Sequence, residues 1–419
     1  MVRNKGMEVA FYQFLVGDES IGGTLKGVIK RTFTGGASIT GSTLAGSLDR
    51  PMAGAYDPIS LKDGPFDIAA ISFNTPGAPR AYLAAKFFKK LEKITIAGGP
   101  HCSLLPEESV EYFDAVCIGP GDRQFSRMIE DAGQGKLKRL YYGERGDWVI
   151  PRREKSHGIS LVQLSRGCLH RCRFCVVPAL YEDGIDEKPI ELVKVELHRT
   201  ASLVNLVDDN FPVNTERGQE VLSLLKDSGR HFICQISPEL VTEAGNLSRL
   251  ADAGCTILGV GIESIRPESQ LFLGKPPVKN IKEIIGRIHD AGIASYVNLV
   301  FGSDGETGGI FEKTLKFVDD ARPAIVSVHL LTPFPGTKIY DYFAQRKRLL
   351  FGPEEFPEAW ALFDCRHTTI IPDPMTPEQL SEGFSGFMRE LYSLRNTFRR
   401  ARKGTLGVAL LSSLLKNAW

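Results

Sequence analysis

Cys168-Leu-His-Arg-Cys172-Arg-Phe-Cys175, entered through the apolar run Ile159-Ser-Leu-Val-Gln-Leu164 and the turn Ser165-Arg166-Gly167, decides the reading of this chain. Three thiolates on one tight loop can hold three corners of a four-iron cluster and leave the fourth iron without a protein ligand. An open iron binds a small molecule and passes it an electron, which is a catalytic arrangement. Two other uses of the triplet are simpler. A structural zinc site could recruit His170 from inside the loop, but such sites usually pair their ligands as two knuckles, and there is no second knuckle. An electron-carrying [4Fe–4S] cluster normally takes four cysteines, and no fourth stands at suitable spacing.

Working outward, 419 residues suggest two domains with a small third. With 42% apolar and 24% charged residues the chain has the material for substantial cores. A formal net charge of +1 gives no general attraction to nucleic acid or anionic membrane. Eight cysteines and no secretory signal point to a reducing compartment, so a cytoplasmic protein is expected. Cys102, Cys117, Cys234, Cys255 and Cys365 are scattered through apolar runs and read as small core residues. No stretch has the length of a membrane-spanning helix. At the end, basic Arg395–Lys403 precedes apolar Leu406–Leu415. Residues 395–415 are thus a candidate peripheral membrane contact, with a helix docked on the protein itself as the plainer reading.

Residues 1–150 alternate strand and helix patterns, as a doubly wound, Rossmann-like α/β domain does. Strands are expected at 7–15, 66–73, 94–97 and 115–118, and helices at 21–32 and 80–90. Residues 33–60, rich in Gly, Ser and Thr, resist assignment. Ligands of such sheets gather at strand ends, where the strand order switches. The polar stretch 145–157 reads as a linker. Over 158–345, strands at 159–164, 203–207, 232–236, 256–261, 295–300 and 325–331 make six βα units. That is too few for a closed eight-unit barrel, so an open, partial (β/α)6 barrel is expected, with the cysteine loop at its C-terminal mouth. Residues 346–419 read as a mostly helical C-terminal region able to cover that mouth. Tyr12, Gln13 and Tyr296 read as packing residues along their strands.

The spacing CxxxCxxC, with the aromatic Phe174 before its third cysteine, resembles the radical S-adenosylmethionine (SAM) enzymes. Later strand ends fit the same resemblance in order: Asp208-Asp209-Asn210, Gly261-Ile-Glu263-Ser264, Asn298, and the turn Thr332-Pro-Phe-Pro335-Gly-Thr337. The resemblance implies that Cys168, Cys172 and Cys175 ligate a [4Fe–4S] cluster. It assigns SAM contacts to Phe174, Asp208, Asp209, Asn210, Gly261, Glu263, Ser264, Asn298 and Pro335. The first domain looks like the cobalamin-binding domain that precedes many radical SAM cores. A corrin is a broad disc that needs small residues beneath it. Asn74-Thr75, Gly98-Gly99-Pro100-His101 and Gly119-Pro-Gly121-Asp122 supply three such strand-end loops. The loop that carries a cobalt-binding histidine in other cobalamin proteins reads Asp18-Glu-Ser20-Ile-Gly22-Gly23, with serine in its place. Methylthiotransferases share this layout but carry three further cluster cysteines in the first domain, where this chain has only Cys102 and Cys117.

The resemblance therefore implies a cobalamin-dependent radical SAM C-methyltransferase. SAM is the source of a 5′-deoxyadenosyl radical that activates an unactivated carbon, and methylcobalamin delivers the methyl group. A low-potential electron donor is an implied partner. In length and pattern the chain looks similar to archaeal enzymes that C-methylate a residue of methyl-coenzyme M reductase, the glutamine C-methyltransferase above all, so a protein or peptide substrate is expected as a post-translational modification. The alternatives are a cobalamin radical SAM enzyme acting on a lipid or tetrapyrrole, including a radical cyclase, and a non-catalytic iron–sulfur or cobalamin carrier.

Overall fold

The computed structural model describes residues 7–14, 53–55, 66–151, 158–182 and 184–400. The chain separates into two compact units, residues 1–155 with 351–364, and residues 156–350 with 365–419.

In the first unit, β1 (Val9–Phe14), β2 (Ala53–Ala55), β3 (Ile68–Phe73), β4 (Ile94–Gly98), β5 (Ala115–Ile118) and β6 (Leu140–Tyr142) form one parallel sheet in the order 2-1-3-4-5-6. All six residues of β3 are buried, as a parallel strand covered on both faces requires. Helix Ala78–Lys90 turns Ala78, Ala81, Tyr82, Ala85 and Phe88 inward, and Lys89 and Lys90 complement the negative end of its dipole. Tyr12 is fully buried with its ring 4.8 Å from Phe88, and Gln13 is also buried. Strands β2 and β6 carry no sequence periodicity because each is only three residues long.

The second unit holds β7 (Ile159–Val162), a two-stranded ribbon of β8 (Ser165–Arg166) and β9 (Asp186–Glu187), then β10 (Leu203–Leu206), β11 (His231–Ile236), β12 (Cys255–Glu263), β13 (Ala294–Phe301) and β14 (Ile325–Leu330). The six main strands pair in parallel in the sequential order 7-10-11-12-13-14. Helices between them return the chain on one side, giving a curled half-barrel. One face of each strand enters a continuous core with those helices: Val162, Val204, Cys234, Val260, Val297, Val326 and Val328 meet Leu225, Ile285, Phe317 and Val318. The other face lines the inside.

Residues 346–419 do not behave as one region. Helix Pro377–Leu391, closed by a Thr376/Gln379 capping box, lays Leu380, Phe384, Phe387 and Leu391 into the outer core of the half-barrel. The Phe387 ring lies 4.9 Å from Phe301, so this helix covers the outside rather than the mouth, because its apolar stripe matches that core. Residues 351–364 instead pack with the first unit. There Trp360, 2% exposed, stacks on Phe356 at 3.7 Å and donates from Nε1 to Glu108 Oε2 at 3.1 Å. Trp360→Ala is expected to lower stability by about 3–5 kcal/mol and to make 351–364 the first site of protease cleavage, read by urea titration and limited proteolysis. Of the tail, helix Leu394–Arg400 is described, and the rest of 395–415 lies outside the described residues. No helix among the described residues is long and apolar enough to cross a membrane.

Candidate active site

The cysteine loop leaves β7 at the C-terminal edge of the half-barrel sheet, and three local features hold its course. Gly167 sits at φ +92°, where a Cβ would lie 2.3 Å from Gly184 O, so only glycine passes this crossing. The β8/β9 ribbon clamps the entry. Arg173 pins the far side: its N–H donates to Leu273 O and its guanidinium to Phe272 O, both at 2.9 Å, while its carbonyl accepts from Ile339 N–H at 2.9 Å. Gly274 leaves room for Arg173, since a Cβ there would come within 2.9 Å of Arg173 Cγ. Phe174 packs against the apolar group of Leu273, Val300, Leu331 and Ile339.

All three thiols are free and half-buried. Burial raises each above the ordinary cysteine value, Cys175 to about 12, and Lys275 opposes the rise at Cys168 and Cys172. They are thiols until a metal displaces their protons. His170 does not complete a ligand set with them; its Nε2 faces Glu239 Oε1 at 3.4 Å. Among the described residues no group of three His, Cys, Asp or Glu side chains is arranged to hold a single metal ion.

The two aspartates after β10 part company. Asp208 is buried beneath the loop, accepting from Leu164 N–H at 3.1 Å and from Ser165 Oγ at 2.5 Å. It braces the loop from below through these two bonds. Asp209, hydrogen-bonded to the Gly167 backbone, lies close enough to Cys168 and Cys175 to raise both. Burial pushes both carboxyls up to about 6. A folded-state value above the unfolded one makes the neutral acid the favoured native form. Asp208 therefore supports the fold fully below about pH 4, and that contribution is lost as pH rises through about 6. Asp208→Asn is expected to flatten the pH dependence of the melting temperature over that window. Asn210 Oδ1 accepts from Ser237 N–H at 2.8 Å.

The end of β12 is the most distorted part of the mouth. Register with β13 shifts between Gly261 and Glu263, a bulge of the kind that re-aims side chains near functional sites. Glu263 takes φ +63°, and Ser264 N–H closes a three-residue turn to Ile262 O at 2.8 Å. This strained, buried carboxylate receives Lys275 Nζ at 2.8 Å, and the same ammonium donates to Gly261 O at 2.8 Å. Burial works against the Lys275 charge, but Glu263 and Cys172 outweigh it and hold its pKa above the ordinary value. The bulge turns Ser264 away from the mouth. Its Oγ meets Glu306 Oε1 at 3.4 Å, inside a buried network in which Glu306 also accepts from Gly302 N–H and Ser269 Oγ. Asn298 Nδ2 donates to Gln235 Oε1 at 3.3 Å on the inner face. Pro335 is buried in the turn whose Thr337 caps helix Lys338–Gln345. Sequence reasoning missed Lys275, which no motif marks, and assigned no role to Arg173 within the cysteine loop or to Glu306 after β13, roles that only tertiary contacts reveal.

In the first unit the strand order reverses between β1 and β3, the crevice where doubly wound sheets bind ligands. Gly98 and Gly119 form open floors at the ends of β4 and β5. A Cβ on Gly98 would meet nothing nearer than Cys117 Cβ at 3.9 Å, and one on Gly119 nothing nearer than Gly143 O at 3.6 Å. Gly99 differs: at φ +104° a Cβ would lie 2.7 Å from Phe73 O, so strand packing demands this glycine. Asn74 caps the turn Thr75–Gly77, Pro100 begins the helix Pro100–Leu104, and Gly121 precedes buried Asp122 at the start of helix Asp122–Gly133. His101 has both ring nitrogens engaged within the protein. It is fully buried, with Nδ1 on Thr75 Oγ1 at 3.1 Å and Nε2 shared between Tyr82 OH at 3.1 Å and Glu108 Oε1 at 3.2 Å. The expected loop Asp18, Ser20, Gly22 and Gly23 lies outside the described residues.

Residues 162–318 match the model of the Radical SAM superfamily. Two similar curated proteins come from Chlorobaculum tepidum. The bacteriochlorophyllide d C-8(2)-methyltransferase is 25% identical, the match covering 77% of this chain and 76% of that one. The bacteriochlorophyllide d C-12(1)-methyltransferase is 23% identical over 84% and 80%. Among solved structures, the radical SAM methyltransferase TsrM from Kitasatospora setae, with cobalamin and [4Fe–4S] cluster bound, aligns with a TM-score of 0.68 at 14% identity. That alignment covers 94% of this chain and 90% of the other.

Proposed function

From a chain that carries a radical SAM domain over residues 162–318, we infer a cobalamin-dependent radical SAM methyltransferase that modifies an unactivated carbon. The observation that carries this reading is the pairing, in one chain, of a three-thiol loop at the mouth of a half-barrel with a 2-1-3-4-5-6 sheet floored by Gly98 and Gly119.

The residues present fit the three groups this chemistry needs. Cys168, Cys172 and Cys175 would hold a [4Fe–4S] cluster, the Arg173 clamp fixing the loop that presents them. Asp209, Asn210, Glu263, Lys275 and Asn298 would receive SAM, Lys275 as the cation for its carboxylate. Glu263, already hydrogen-bonded by Lys275, keeps a second oxygen for a hydroxyl partner. A corrin would rest over Gly98 and Gly119, where among the described residues no side chain stands in its way. When bound, the cluster supplies an electron to SAM and the corrin carries the methyl group. The protein positions these parts. An external low-potential donor supplies the electron, and we place the enzyme in the cytoplasm.

The substrate we favour is an apolar, ring-based small molecule, because both curated relatives described above act on bacteriochlorophyllide d. A protein residue such as the glutamine of methyl-coenzyme M reductase stands second.

Reconstitution with iron, sulfide and hydroxocobalamin, then desalting, tests the framework. About four irons and about one cobalamin per chain are expected, with 5′-deoxyadenosine formed on adding SAM and a reductant. Iron without cobalamin would remove the methyl-transfer reading.

A further inference from the structure

Strands β13 and β14 run side by side with Asn298 opposite Ser327 and Val300 opposite His329. Val326, Val328 and Leu330 enter the outer core, as Val297 and Leu299 do. Ser327, His329, Tyr296 and Asn298 therefore lie on the inner face, all four only half-buried. Tyr296 stands diagonal to Ser327 and hydrogen-bonds it. Ser327 Oγ lies 2.8 Å from His329 Nε2. This Tyr–Ser–His chain occupies Nε2, and the described residues offer Nδ1 no hydrogen-bond partner. At the last residue of β14, Leu330 N–H donates to Cys365 O at 2.8 Å, which brings Arg366 alongside.

Burial, and then the Arg366 charge, hold the His329 imidazole below its ordinary pKa, so it is neutral at pH 7. In the tautomer in which Ser327 donates to Nε2, the ring's own hydrogen sits on Nδ1. A fixed N–H donor beside a guanidinium suits an anionic oxygen, to which both donate charge-assisted bonds. Lys275 is engaged by Glu263 and, in the reading above, by the SAM carboxylate, so it is not part of this group. On the same inner face, β7 and β11 present Leu161 and Ile233, with Asn205 of β10 between them.

We propose that Tyr296, Ser327, His329 and Arg366 form a carboxylate-binding site, and that the substrate is a small molecule with an apolar body and a carboxylate edge. The assignment rests on the methyltransferase reading for the word substrate, not for the site. The test uses full-length, cluster-reconstituted protein titrated calorimetrically with benzoate and with benzamide, its uncharged isostere. Benzoate is expected to bind about tenfold or more tighter, the worth of one charge-assisted hydrogen bond. That preference should vanish in Arg366→Gln and in His329→Ala; Arg366→Gln, at a half-exposed position, guards against a variant that fails to fold. Equal binding of the two probes, no benzoate binding, or a preference that survives in Arg366→Gln overturns the site.

Competition then identifies the source of the carboxylate. A chlorophyllide with its free acid is expected to displace benzoate, and its methyl ester to leave benzoate bound. A chlorophyllide that fails to displace, or a glutamate-bearing peptide that displaces better, overturns the small-molecule assignment. Benzoate needs neither SAM nor cobalamin, so a failure here leaves the methyl-transfer reading standing, and the reverse also holds.

Discussion

Cys168→Ala, Cys172→Ala and Cys175→Ala are each expected to abolish SAM cleavage, with 5′-deoxyadenosine formation falling by about 10⁴-fold or more, the scale of losing an indispensable group. With three thiols for a four-iron cluster, losing one leaves two protein ligands, and among the described residues no other cysteine lies on this loop. Iron retained after desalting should fall in parallel while the melting temperature of the metal-free protein barely moves, because the three side chains are only half-buried. Cys175, whose thiol burial pushes highest, should make iron loading steeply pH-dependent, since each ligand must shed its proton to bind. His170→Ala is the control that separates iron from zinc. Its imidazole faces Glu239, so iron content should be unchanged. A parallel loss of metal in His170→Ala would make histidine a ligand and defeat the cluster assignment.

The second large effect separates two adjacent glycines. Gly98→Leu is expected to leave the fold intact and abolish retention of cobalamin, because among the described residues a Cβ there would meet nothing nearer than Cys117 Cβ at 3.9 Å. Gly99→Ala is expected to cost about 2–3 kcal/mol whether or not a corrin binds, since its φ of +104° and the nearby Phe73 carbonyl both reject a side chain. Urea titration of both variants, together with the absorbance of cobalamin left after desalting, reads the contrast. Full cobalamin retention in Gly98→Leu would move the corrin away from β4 and take its proposed floor with it.

Much of this architecture was legible because parallel strands buried on both faces write continuous apolar runs. Ile159–Val162 and Ile325–Leu330 fall within the expected spans, and β12 extends its span by one residue at the start and two at the end. The mouth was less legible. Alternation assigns Gly261 and Glu263 to one face, but the bulge between them shifts the register and sends Ser264 into the Glu306 network. Asp208 and Asp209 look equivalent on paper, yet one braces the loop from below and the other faces the thiols. Lys275 pairs with Glu263 twelve residues earlier and Trp360 with Glu108 across 252 residues; neither spacing corresponds to a local period. His101 was marked by a glycine-rich strand end, where a ligand and a buried hydrogen-bonding residue are written alike.

The placement of residues 351–364 sets how this protein can be taken apart. The backbone passes between the two units three times, at 155/156, 350/351 and 364/365. No single cut separates them. A fragment ending at 155 would lack Trp360, exposing the His101–Glu108 surface that it covers. A fragment beginning at 156 would carry an orphaned aromatic loop of Phe356, Trp360 and Phe363. Splitting the protein for separate study therefore calls for three cuts, at 155/156 and at either end of 351–364, and for supplying that piece to the first unit as a peptide or a fusion. The same connectivity implies that the first-unit sheet and the half-barrel cannot be exchanged between relatives by swapping amino-terminal halves alone.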